Sequence, residues 1–75
     1  MTLGQAITEL RHDRGWTQDR LVLELEPVLG RSMSQPRLSR IEGGRDPRPD
    51  ELAALLTVLG VDPCRWSDFM KLGLP

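Results

Sequence analysis

SQPRLSRIEGGR, residues Ser34–Arg45, reads as one short helix with its own start and stop signals. Ser34 is suited to N-cap it, since a hydroxyl accepts from the free N–H groups of a first turn. Pro36 stands in that turn, where a missing donor costs nothing. Leu38 and Ile41 share one face at helical spacing, and Gln35, Arg37, Ser39 and Arg40 fall on the others. Gly43 and Gly44 stop the helix, because glycine enters the left-handed C-cap conformation at little cost. The product is a rod with an apolar underside and a face of Gln, Ser and Arg. Those side chains hydrogen-bond to base edges and phosphates.

Working outward, Thr17 is the N-cap of the preceding helix, and Trp16 before it is placed to staple onto Leu21. Leu21, Val22, Leu25, Val28 and Leu29 carry an apolar stripe across Pro27. A proline there removes one backbone bond and crowds the turn before it. The stripe nevertheless keeps phase and Gly30 supplies a stop, so the spacing predicts continuation to Leu29, with residues 30–33 as the link to Ser34. Further back, Leu3, Ala6, Ile7 and Leu10 follow the spacing of a one-faced helix over about Thr2–Arg14, ended by Gly15. Downstream, the two prolines of RDPRP force an extended crossing. Asp50 and Glu51 then place negative charge at a helix N-terminus, where the dipole favours it. Leu52, Leu55, Leu56 and Leu59 carry that helix to Gly60. Asp62 as N-cap, Pro63 at N1 and Val61 stapled to Trp66 open a last helix that reaches Lys71, with Trp66, Phe69 and Met70 as its apolar stripe. Gly73, Leu74 and Pro75 read as a frayed end. The expectation is an all-α single domain over residues 1–75, made of five short helices.

The formal net charge is −1, but it is unevenly spread. Residues 31–48 hold five arginines against Glu42 and Asp46, a local surplus of three positive charges on an acidic remainder. Such a patch suits a phosphate footprint, and ordinary surface charge would read the same way. Cys64 is the single cysteine and has no intrachain partner, which fits a reducing compartment and a cytoplasmic location. It is expected to be small and semi-buried. His12 stands without a second ligand and reads as a surface histidine. No apolar run is long enough to span a bilayer, and the N-terminus does not read as a signal peptide. Spacing favours no Ser–His–Asp set, metal cluster or Gly-rich phosphate loop, so neither an enzyme nor a cofactor is expected.

Taken together and in this order, LRHDRGWTQDRL, SQPRLSRIEGG and ELAALLTVLGVDP resemble the Cro and lambda-repressor type of helix-turn-helix domain, the xenobiotic-response-element family. The resemblance covers Leu3 to about Asp62, with the helix-turn-helix itself over about 17–43. It implies a set of roles. Gln18 contacts a phosphate and braces the recognition helix, with Thr17 beside it. Gln35, Pro36, Arg37, Ser39 and Arg40 face the major groove or its walls. Arg45 and Arg48 match the loop that binds the DNA backbone, and Arg11 with Glu42 match a partly buried ion pair. One departure is EPVLGRSM, an insertion that either lengthens helix 2 or widens the turn after it. Another is Pro36, which lacks a base-reading side chain and leaves at most a thymine-methyl contact.

On this reading Arg40 bridges a guanine or holds a phosphate, Arg37 has the same two options, and Gln35 is placed for adenine. Trp66, Phe69 and Met70 are expected to form a dimer seam as well as core, since relatives bind two half-sites about 34 Å apart as two-fold dimers. The expected function is sequence-specific binding of double-stranded DNA by a small homodimeric transcriptional regulator, a repressor. Two alternatives stay open: an antitoxin that binds a toxin and represses its own operon, and a protein-interaction module without DNA binding.

Overall fold

The computed structural model describes residues 2–72. In order these form α1 (Leu3–Asp13), α2 (Gln18–Leu29), α3 (Gln35–Glu42), α4 (Pro49–Val58), a 3-10 turn at Pro63–Arg65, and α5 (Trp66–Leu72). Among the described residues there is no strand.

Side-chain caps set most of the starts. Thr2 and Gln5 form a capping box, each side chain accepting from the other's backbone N–H, at 3.2 and 2.9 Å. Thr17 Oγ1 accepts from the N–H of Arg20 at 3.1 Å, and Ser34 Oγ from that of Arg37 at 3.3 Å. Asp62 caps the 3-10 turn through the N–H of Cys64. The stop after α3 differs in detail from the expectation. Gly43 keeps a right-handed conformation at φ −81°, and Gly44 alone takes the positive φ, 120°.

Helix α2 runs through Pro27 and ends at Gly30, whose φ of 81° only glycine adopts freely. The insertion therefore lengthens α2. The donor that proline lacks would have bonded to the carbonyl of Leu23, on a turn whose side chain is 63% exposed, so water can replace it. The apolar stripe is narrower than expected. Leu21 and Leu25 are fully buried and Val22 and Leu29 pack beside them, but Val28 is 47% exposed. It lies at the edge of the stripe, beyond the reach of the helices that cover its neighbours. Met33, buried, anchors the link to α3 in the core.

Ile7, Leu21, Leu25, Leu38, Ile41, Leu55 and Leu56 form the fully buried centre. Helix α2 packs on α3 and α4, and α1 packs on α3 and α5. At the end of α4, Nη2 of Arg14 donates to the carbonyl of Leu59 at 2.9 Å, occupying an acceptor the helix leaves open. Trp66 and Phe69 are half-buried and both pack on the core, and the Trp66 indole N–H donates to the carbonyl of Val61 at 3.0 Å. Trp66 is therefore foremost a core residue, because its one polar atom is already satisfied within its own chain. The Met70 side chain and the expected fraying at residues 73–75 lie outside the described residues. Cys64 is exposed, contrary to expectation, since the 3-10 turn holds it off the core.

Gly4 is buried where α1 meets the end of α3. A Cβ there would stand 2.6 Å from the carbonyl oxygen of Ile41 and nearer still to that of Glu42. Both obstacles are backbone, so neither can swing aside. Gly4→Ala is expected to lower stability by about 1–3 kcal/mol, the usual cost of overpacking, despite alanine's higher helix propensity. Urea unfolding measures it, and a midpoint equal to or above wild type would contradict the packing described.

Candidate nucleic-acid interface

The polar face of α3 is held in place from behind by Glu42, whose side chain is 6% exposed. Its carboxylate accepts four hydrogen bonds from two other helices. Arg11 donates twice, Nε to Oε2 at 2.9 Å and Nη2 to Oε1 at 3.0 Å. Thr8 Oγ1 and Gln18 Nε2 also donate to Oε1, at 3.0 and 3.1 Å. Arg11 Nη1 reaches on to the carbonyl of Trp16 at 2.8 Å, tying in the start of α2. Among the described residues no buried side-chain polar atom lacks a partner. This network sets the angle between α2 and α3. Gln18 then passes the constraint to the surface, because its Oε1 accepts from Nε2 of Gln35.

At the surface Gln35, Pro36, Ser39 and Arg40 are exposed on α3. Gln35 commits one amide hydrogen to Gln18 and keeps its carbonyl and its second hydrogen for a ligand. Thr17 is exposed at the start of α2, and its hydroxyl proton is still available although its oxygen caps the helix. Arg45 and Arg48 are exposed in the segment after α3, where the Arg45 N–H donates to the carbonyl of Arg40. Arg40, Arg45 and Arg48 have no carboxylate partner among the described residues.

Arg37 departs from its expected role as a base contact. Its Nε and Nη2 donate to the two carboxylate oxygens of Glu51, at 2.9 and 2.6 Å. The Glu51 side chain is only 5% exposed, so the pair ties α3 to the first turn of α4. Arg37 turns aside because Glu51 needs it: a buried carboxylate without a cation would be costly. Glu51 also accepts from the N–H of Arg48 at 2.8 Å, which makes it the first-turn cap of α4. Sequence reasoning gave Glu51 only a dipole role. The missed signal is a glutamate three residues after the cap position, obscured because that position holds Arg48 rather than Ser or Thr. Trp16, at the α1–α2 corner, has two guanidiniums over its ring, Arg14 at 5.2 Å and Arg20 at 5.7 Å from the centroid.

The comparisons agree with this geometry. A family model described as a helix-turn-helix domain matches residues 2–67, from the cap of α1 into α5. Neither the curated proteins nor the solved structures gave a match.

The bidentate bond from Arg37, helped by the N–H of Arg48 and opposed by burial, holds the Glu51 carboxyl at about 2, below its ordinary 4.5. A lowered folded-state pKa contributes stability that is present above the unfolded value and is lost as pH falls toward the folded one. Glu51→Gln is therefore expected to remove the part of the acid dependence between pH about 4.5 and about 2, worth roughly 3 kcal/mol by linkage. Stability measured against pH for both proteins tests this. Parallel curves over that window would show that Glu51 is not the titrating group.

Proposed function

This chain belongs to the helix-turn-helix domain family, and from that premise we propose that it is a sequence-specific regulator of transcription, a repressor that binds double-stranded DNA as a homodimer. One observation carries the proposal. The side chains on and after α3 that have no internal partner among the described residues are those suited to a duplex: Ser39 and Arg40 on the helix, then Arg45 and Arg48.

In this reading α3 enters the major groove. Arg40 bridges O6 and N7 of a guanine, Gln35 meets an adenine edge, and Pro36 touches a thymine methyl. Ser39 reaches the base edges or the groove wall. Thr17, Gln18, Arg45 and Arg48 hold phosphates and so fix the register. Arg37 contributes by fixing α3 on α4 rather than by reading a base. The protein acts in the cytoplasm, without a cofactor.

A single module of this size makes few base contacts, and a two-fold dimer doubles them over half-sites about 34 Å apart. The groove between α1 and α5 supports pairing through Phe69. Ala6, Leu10 and Phe69 give it an apolar floor, and its edge carries Arg65 together with Glu9, Asp13 and Asp68. A second copy related by a two-fold axis can set its Arg65 against those carboxylates, which is the self-complementarity such an interface requires.

Selection of bound sequences from a random DNA pool, followed by titration of variants, tests the proposal. Arg40→Ala is expected to lose about 1–3 kcal/mol of preference for the selected sequence with thermal stability unchanged. Equal affinity of variant and wild type for that sequence would remove Arg40 from the readout. Arg45→Ala is expected to weaken selected and random DNA alike, which a loss confined to the selected sequence would contradict.

A further inference from the structure

A polar cleft of about 400 Å³ opens beside the start of α3, where the link from α2 meets the first turn of α4. Three guanidiniums line it: Arg31, Arg37 and Arg48. They are not equivalent. Arg37 is fixed, because both oxygens of buried Glu51 hold it. Arg48 has no carboxylate partner among the described residues. Arg31 makes a single contact, Nη2 to Oδ2 of Asp50 at 2.9 Å. Both partners of that contact are open to solvent, with side chains 44% and 58% exposed. A pair of this kind holds weakly and exchanges readily. The exposed Ser32 hydroxyl lines the same cleft.

We propose that Arg31 is a second-state phosphate ligand: on DNA it leaves Asp50 and, with Arg48, clamps one backbone phosphate beside the N-terminal end of α3. This rests on the DNA-binding reading above and adds to it a residue supplied by the lengthened α2–α3 segment. A phosphodiester offers two charged oxygens, one for each guanidinium, and bonds between charged partners are the strong ones. Asp50 cannot follow Arg31 onto the phosphate, since like charges repel, so the exchange moves Asp50 away from the clamp. Arg31 also stands apart from Arg45, one before α3 and the other after it. Eight residues of α3 separate the two ends, about 12 Å of helix. That exceeds the ~3.4 Å rise between successive phosphates of a strand, so the two ends take different phosphates and are counted separately.

The test is the salt dependence of binding to a random-sequence duplex, for wild type, Arg31→Ala, the double variant Arg31→Ala with Arg48→Ala, and Asp50→Asn, each checked for an unchanged thermal midpoint. Arg31→Ala alone, with Arg48 still on the phosphate, is expected to bind about two- to fivefold more weakly, and the double variant to make the log–log salt slope shallower by about 0.9, the signature of one shared phosphate. Asp50→Asn is expected to bind about two- to fivefold more tightly, the equivalent of releasing one surface ion pair, with the slope kept. Wild-type affinity in Arg31→Ala, a slope loss of about 1.8 in the double variant, or no gain in Asp50→Asn overturns the clamp while leaving DNA binding standing. A wild-type protein with no salt-dependent affinity for any duplex overturns the DNA-binding reading instead.

Discussion

The carboxylate of Glu42 is the constraint on which this fold turns. It sits at the last residue of α3, nearly out of solvent, and four donors from α1 and α2 converge on it. A buried charge is tolerated only when it is paired and its lone pairs are filled. Glu42 meets that condition in a single arrangement of three helices. Directly behind it the backbones of α1 and α3 touch at Gly4, which leaves α1 no freedom to slide. The polar network and the steric contact fix the same geometry by independent means.

The second ion pair works on the other side of α3. Glu51 is as buried as Glu42 and takes Arg37 from the surface to satisfy itself. The two glutamates thus decide which arginines are structural. Arg11 and Arg37 face carboxylates inside the domain, while Arg40, Arg45 and Arg48 remain outside. The local surplus of positive charge is divided accordingly, and a net charge of −1 says nothing about it. What matters for a polyanion is where the unpaired cations stand.

The helices themselves were legible in the sequence. Thr17, Ser34 and Asp62 announced starts that depend only on neighbouring N–H groups, and the Leu and Ile spacing announced the buried faces. Such signals act over a few residues and can be read one stretch at a time. Arg37 was misplaced because its partner lies on another helix, and no local pattern joins the two. Val28 was misplaced for a related reason: periodicity gives the phase of a stripe, and its width depends on what covers it. A glycine inside a helix is weak by propensity, and only the crossing with α3 explains Gly4. For the site, the exposed polar face of α3 was legible and the bracing behind it was legible only through family resemblance. The cleft at Arg31 was not, since it forms between segments that the sequence keeps apart.

The bond between Gln18 and Gln35 carries a consequence of its own. A free glutamine samples several rotamers, and freezing them on contact with a ligand has an entropic cost. Here one side chain is already frozen by its neighbour, which in turn is anchored on Glu42. Any base edge that meets Gln35 therefore meets a preorganised donor and acceptor. The same rigidity makes the residue intolerant, because an amide that cannot turn also cannot adapt to a mismatched partner.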